Sequence, residues 1–163
     1  MATHLEARQV TKDVDVVALL DGQGRLVDPD PLPDFLVREI AVVADTLSLP
    51  QDWLNNGPSQ GEGGLFRLGL PAGFVNRLVR HEVGSRVTLF FIGRYDQIHF
   101  KLYAAVDRSG GYHADDLMRL APTEEEMLAA ARWAMTHDSS EGFRDMMRGF
   151  LRGVGFDAVA EKI

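Results

Sequence analysis

The chain has 163 residues, a net charge of −7 and no cysteine. With 45% hydrophobic and 25% charged residues, it has the composition of an ordinary soluble globule long enough for a proper core. The acidic balance argues against binding driven by a nucleic-acid backbone, and the lack of cysteine excludes disulfides, thiolate metal sites and cysteine catalysis. No apolar run approaches the ~18 residues of a membrane helix. We therefore expect a cytoplasmic protein of one domain, 1–163, with no membrane segment.

The first clear element is a predicted strand over 12–20, in which Asp13 and Asp15 alternate with Val14 and Val16. Because side chains alternate across a strand, the two carboxylates point to one face about 7 Å apart and can converge on one divalent cation. The residues after Asp15 are wholly apolar, which predicts a strand buried on both faces with the Asp pair at the rim of the core. The alternative is a solvated strand end, or carboxylates paired with a neighbouring Arg or Lys.

A turn-rich connector over 22–33 leads to a predicted helix over 34–47, with Asp34 as its N-cap and Ser48-Leu49-Pro50 ending it. A glycine-rich loop over 51–64 follows, which either closes over a ligand or is a surface loop with Trp53 and Leu54 as its anchor in the core. The segment 68–83 is expected to hold a possible short strand or turn and a short helix, and a predicted strand over 86–92 follows. Helices are predicted over 97–106, 114–120 and 123–136, and from Ser139 or Ser140 through Leu151. Residues 123–126 form a capping box that opens the helix over 123–136, whose packing stripe is Met127, Ala130, Ala131 and Ala134.

Lys101 lies among apolar residues of the predicted helix over 97–106. Burying an ammonium is costly without an anionic partner, so this lysine either snorkels at a core margin or faces carboxylates. Arg108 lies seven residues further on the same helical face, and Asp116 lies on the next predicted helix. These three residues are candidates to meet the two aspartates of the first strand, either for internal neutralisation or as a site for metal and phosphate.

Three segments resemble a known superfamily. Residues 8–17, Arg-Gln-Val-Thr-Lys-Asp-Val-Asp-Val-Val, resemble the second motif of the nucleotidyltransferase (polymerase-β-like) superfamily, Arg-x-x-Thr-x-Asp-hydrophobic-Asp. Residues 101–108, Lys-Leu-Tyr-Ala-Ala-Val-Asp-Arg, and the pair Asp116-Leu117 are similar to the later Lys-x-x-Ala and Asp-Leu motifs of its AbiEii-like branch. That branch includes toxins of bacterial abortive-infection and toxin–antitoxin systems, and the resemblance extends to small bacterial nucleotidyltransferase-like proteins.

The resemblance implies an α+β fold with a mixed central β-sheet, flanking helices and a helical C-terminal part at 123–155. It implies transfer of a nucleotide from an NTP to a hydroxyl of an unknown acceptor, which is an RNA end, a protein or a small molecule. Asp13 and Asp15 would be catalytic and hold Mg²⁺ or Mn²⁺, Lys101 and Arg108 would bind the nucleotide, and Asp116 would orient Lys101 or act as a base. An antitoxin-like partner and a homodimer are both left open.

One motif of the superfamily has no counterpart in the chain. Its first motif is a Gly-Gly or Gly-Ser pair that contacts the nucleotide phosphates, and Met1 falls just after its expected place. Residues 1–8 are typical of the helix that follows those glycines, so we expect the DNA upstream of the Met1 codon to encode them. We also expect 1–8 to be poorly ordered or packed on another copy. The alternative is a catalytically degenerate binding module. Asp96 is the nearest candidate for a third metal carboxylate, although we expect it to cap its helix.

Overall fold

The computed structural model describes residues 13–85, 87–107 and 111–163. The protein is a mixed α+β chain that divides into two compact units, Met1–Leu70 and Pro71–Ile163. That the two units form one domain stays a prediction. The predicted helix end at 1–8 and the candidate residue Arg108 lie outside the described residues.

The predicted strand over 12–20 is interrupted, which corrects the sequence interpretation. It contains two short strands, β1 (Val14–Asp15) and β2 (Leu19–Leu20), with no regular structure at 16–18. Of its apolar residues only Val17 is buried, while Val14 is 45% exposed. The segment is therefore not a strand buried on both faces.

The interruption follows from the pairing partners of the two short strands. β2 pairs antiparallel with β3 (Leu26–Val27), and the two strands form a small hairpin. β3 lies inside the predicted connector over 22–33. β1 pairs in parallel with β4 (Leu54–Asn55), which lies inside the predicted loop. Because β1 and β2 join different neighbours in different directions, the chain has to leave the extended sheet geometry between them.

The first helix, α1 (Asp34–Leu47), has the bounds that the sequence predicted. Its N-cap, however, is Pro33, and Asp34 is instead the first residue of the helix, where a carboxylate interacts favourably with the helix dipole. Ser48, directly after the last helical residue, is the C-cap and has a left-handed φ of 54°.

The loop over 51–64 is fixed by side chains that bond to distant backbone. The indole Nε1 of Trp53 donates to the Ile40 carbonyl of α1 at 3.1 Å, so Trp53, which is half-buried, holds the loop to α1. The hydroxyl of Ser59, which is fully buried, donates to the Val17 carbonyl at 2.8 Å. A short helix, α2 (Leu65–Leu68), completes this unit.

The second unit contains a two-stranded antiparallel ribbon, β5 (Val79–Val83) and β6 (Val87–Phe91). The prediction of a strand over 86–92 agrees with β6. A 3-10 helix at Phe74–Arg77 precedes the ribbon and agrees with the short helix expected within 68–83, and β5 lies in the same segment, where a short strand or turn was also left open. The described residues contain three two-stranded sheets in place of a mixed central sheet, which corrects that part of the fold prediction. The α+β class is confirmed.

The rest of the second unit is helical, as predicted. Its helices are α3 (Arg94–Asp107), α4 (Tyr112–Arg119), α5 (Glu124–His137), α6 (Glu141–Gly153) and α7 (Asp157–Ala160). Thr123 and Glu126 form the predicted capping box of α5, and the Ser140 hydroxyl caps α6. None of the described helices is both long and apolar enough to cross a membrane.

The core of the second unit is a cluster of apolar side chains from these five helices. Its members include the predicted stripe of α5, which is completely buried and consists of Met127, Ala130, Ala131 and Ala134. Small residues in this stripe let α3 approach α5 closely, so that Ile98 and Leu102 of α3 are also completely buried. This packing positions the polar faces of α3 and α4, where Lys101 and Asp116 lie.

Candidate functional site

The two candidate metal ligands lie in the first unit: Asp15 belongs to β1 and Asp13 directly precedes it, and both residues are exposed. The amides of Val14 and Val16 each donate to a carbonyl of the β4 segment at 2.7 Å, so the backbone is extended through Asp15. In that geometry side chains two residues apart project from the same side of the strand. That the carboxylates of Asp13 and Asp15 share one face and approach one cation stays a prediction.

These carboxylates fit the coordination chemistry of magnesium. Mg²⁺ takes oxygen ligands and is commonly held by one or two protein carboxylates together with water and substrate phosphates. Asp13 and Asp15 supply two such carboxylates with solvent access. Over 13–85, 87–107 and 111–163, no group of three or more His, Asp or Glu residues is placed to hold a metal ion. Asp13 and Asp15 are the candidate cation ligands that the sequence names, and cation binding by them stays a prediction.

Lys101 and Asp116 form an ion pair in the second unit. The ammonium of Lys101 lies 2.9 Å from Asp116 Oδ2, and the two side chains are 33% and 20% exposed. Arg119, one turn along α4, lies 3.4 Å from Asp116 Oδ1, and the Tyr112 ring is 5.9 Å from the Lys101 ammonium. The anionic partner expected for a lysine on an apolar helix is present.

The four candidate catalytic residues thus fall into two pairs. Asp13 and Asp15 belong to the first unit, and Lys101 and Asp116 belong to the second. Within the second unit the structure brings Lys101 and Asp116 into contact. The convergence of both pairs on one cleft stays a prediction.

Asp96 does not have the role that the sequence predicted. It lies in the first turn of α3 rather than at the N-cap, and it is completely buried. Arg77 donates to both of its oxygens, from Nε at 2.9 Å and from Nη2 at 2.6 Å. This hydrogen bonding raises the pKa of the Arg77 guanidinium. Because both carboxylate oxygens are bonded to Arg77, Asp96 is a structural partner rather than a third metal carboxylate.

The Arg77–Asp96 pair was missed because no local signal connects its members. The residues are 19 positions apart, and neither stands in a recognisable motif. A third guanidinium nitrogen of Arg77 donates to the Ala72 carbonyl at 2.8 Å, and the group lies 4.8 Å from the centre of the Tyr95 ring. The pair becomes visible only in the folded chain, where Arg77 lies beside the first turn of α3 and bonds to Asp96 there.

A cavity of about 210 Å³ lies beside the same helix, lined by Pro71, Ala72, Tyr95, His99, Ala129 and Trp133. His99 Nδ1 is 2.8 Å from the Tyr95 carbonyl, and burial lowers the pKa of its imidazole, so that the ring is neutral at pH 7. Two residues on a helix are separated by about 200°, so His99 and Lys101 lie on nearly opposite sides of α3. The cavity, which His99 lines, is therefore separate from the Lys101 site. Its volume is also below the roughly 300–1,000 Å³ typical of small-molecule sites.

Comparison with known proteins gives no match: no family model, no curated protein and no solved structure is similar to this chain. The functional interpretation therefore depends on the chain's own residues. These are the Asp pair at β1 and the Lys101–Asp116 pair between α3 and α4.

Proposed function

We propose that the chain is a metal-dependent nucleotidyltransferase that moves a nucleotide from an NTP to a hydroxyl acceptor. The observation that carries the proposal is the ion pair between Lys101 and Asp116 at 2.9 Å. It joins the lysine of the Lys-x-x-Ala motif, which the resemblance expects to bind phosphate, to the aspartate of the Asp-Leu motif. The two exposed carboxylates at β1 are a second feature in agreement with it.

The geometry of Lys101 suits phosphate binding. A lysine ammonium has three N–H donors, and among the described residues Asp116 accepts one of them. About a third of the side chain is exposed, so the remaining donors can reach an incoming phosphate. Asp116 fixes the direction of the ammonium, which reduces the entropy lost when the phosphate binds.

We assign Asp116 the positioning role rather than that of a general base. Its carboxylate already contacts Lys101 through Oδ2 and Arg119 through Oδ1. A base has to exchange such contacts for the acceptor hydroxyl, whereas a positioning residue keeps them. The acceptor proton would then pass to another group or to water.

Asp13 and Asp15 would hold the cation through their exposed carboxylates. When bound, Mg²⁺ supplies neutralisation of the triphosphate charge and polarisation of the attacked phosphorus. The acceptor oxygen would form a bond to the α-phosphorus while pyrophosphate leaves. The toxin-like activity and the antitoxin-like partner that the resemblance implies belong to the same proposal.

Ligand-induced thermal stabilisation tests the binding step. Mg²⁺ or Mn²⁺ with an NTP should raise the melting temperature, since a ligand at 100 times its Kd stabilises the folded state by about 2.7 kcal/mol. Asp13→Asn and Asp15→Asn should abolish the rise, and Lys101→Met should reduce it while Lys101→Arg retains part of it. Asp52→Asn, which removes an exposed carboxylate of the same unit, is the matched control and should respond as the native chain does.

Two outcomes oppose the proposal in different ways. If the double variant of Asp13 and Asp15 keeps its metal-dependent rise, the cation site is wrongly assigned. If the native chain binds NTP through these residues but transfers no α-labelled nucleotide to itself or to added RNA, the degenerate binding module is the better description.

A further inference from the structure

The β5–β6 ribbon has one apolar face and one mainly polar face. In its register Val79 pairs with Phe91, His81 with Leu89 and Val83 with Val87. These side chains share one face, since alternate residues of paired strands lie on the same side. The opposite face carries Arg80 and Glu82, with Thr88 and Phe90 across from them.

The apolar face is open to solvent. The five hydrophobic residues on it are between 43% and 58% exposed, and they are Val79, Val83, Val87, Leu89 and Phe91. Within the described part of the chain β5 pairs with β6 alone, so each strand has an edge without a neighbouring strand. A strand edge without a neighbouring strand is a template for pairing with another strand, and a large exposed apolar patch is typical of an interaction site.

The sequence of β5 indicates which strand that is. It reads Val-Arg-His-Glu-Val over 79–83, which is symmetric about His81 in size and antisymmetric in charge. If β5 meets a second β5 in antiparallel register centred on His81, Arg80 lies opposite Glu82 of the second copy, and Val79 lies opposite Val83. Opposite charges directly across a strand pair stabilise it, and like charges destabilise it.

We propose that the chain forms a homodimer through β5, in which two ribbons join into a four-stranded antiparallel sheet about a twofold axis at His81. A twofold interface uses the same surface on both copies, and a strand with this charge pattern complements itself only in that arrangement. β6 carries no charged residue that could select a register. The second copy is therefore the occupant that the charges of β5 favour, and the joined sheet brings the apolar faces of both ribbons together side by side.

The contact between Arg80 and Glu82 within one chain does not oppose this pairing. Arg80 Nη2 is 2.7 Å from Glu82 Oε1, and both side chains are 61% exposed. Such an exposed pair contributes little to stability, so both groups can exchange it for the pairs across the interface. The exchange turns two contacts within chains into two contacts between chains.

Sedimentation equilibrium over a concentration series tests the proposal with charge variants. The native chain should be a dimer, and Glu82→Arg should raise its dissociation constant at least tenfold, because two arginines of each copy then face two of the other. Arg80→Glu should raise the dissociation constant by a similar factor, because two glutamates of each copy then face two glutamates of the other. Arg132→Glu and Glu161→Arg make the same charge changes at exposed positions outside the ribbon and should leave the dimer intact.

Mixing the variants distinguishes pairing between chains from a general effect of charge. A copy with Arg80→Glu and a copy with Glu82→Arg should form a heterodimer, since each glutamate then faces an arginine. The double exchange R80E/E82R in one chain should restore the homodimer and provides the test if a single variant folds poorly. A monomeric native chain, single variants that dimerise as the native chain does, or a mixture that stays monomeric would each overturn the proposal.

Discussion

Replacing Arg77 by Met should destabilise the second unit strongly. The substitution leaves the Asp96 carboxylate completely buried without the guanidinium that donates to both of its oxygens. Removing one partner of a buried ion pair costs about 3–5 kcal/mol, and because Arg77 is itself 31% exposed we expect the lower end, about 3 kcal/mol. At roughly 2–4 °C per kcal/mol for a chain of this size, the melting temperature should fall by ~6–12 °C.

Urea unfolding followed by tryptophan fluorescence measures this effect on the second unit. The chain has two tryptophans, Trp53 in the first unit and Trp133 in the second, so a Trp53→Phe background makes the signal report on the second unit. Arg132→Met is the matched control, because this exposed arginine should change stability by no more than about 0.5 kcal/mol. A loss below about 1 kcal/mol for Arg77→Met would refute the reasoning.

A double-mutant cycle assigns the loss to the pair. Asp96→Asn keeps a polar group of the same shape but removes the buried charge, so the double variant with Arg77→Met should lose less than the sum of the single losses. Additive losses would show that Arg77 and Asp96 do not interact energetically. If Asp96 is structural, Asp96→Asn should also retain the stabilisation by metal and NTP.

Two further predictions concern the core of the second unit. The pKa of His99 is lowered from 6.5 by burial, so the free energy of unfolding should fall as the pH drops below 6.5, because the unfolded imidazole then binds a proton that the buried ring does not. In pH-dependent urea titrations, His99→Phe should remove this part of the slope, and a slope equal to that of the native chain would contradict the assignment. Met147→Ala should cost about 2–5 kcal/mol in the same assay, since Met147 is completely buried. Met146→Ala, at a neighbouring position that is 51% exposed, should lower the free energy of unfolding far less. Equal losses for the two variants would show that α6 does not pack as described.

The helices could be predicted closely from the sequence because their signals are local. The capping box of Thr123 and Glu126 and the small-residue stripe behind it are both contained in α5 itself. The bounds of α1 followed in the same way from helical spacing and from the Ser48-Leu49-Pro50 stop. Lys101 on α3 also carried its own signal, since an ammonium among apolar residues is costly to bury without an anion, and Asp116 on the next helix was a candidate partner.

Strand partners and distant ion pairs depend on the tertiary structure. Nothing within 12–20 shows that β1 joins β4 while β2 joins β3, because a strand is completed by hydrogen bonds to residues elsewhere in the chain. Asp96 was expected to cap α3, but its carboxylate is bonded to Arg77, which lies 19 residues earlier. Composition predicted the strand over 86–92 and left a short strand open within 68–83, whereas the pairing of β5 with β6 and the exposure of both strands emerged only from the folded ribbon. The sequence by itself determined the elements that satisfy their own hydrogen bonds and caps, and the tertiary structure decided every element whose partner is far along the chain.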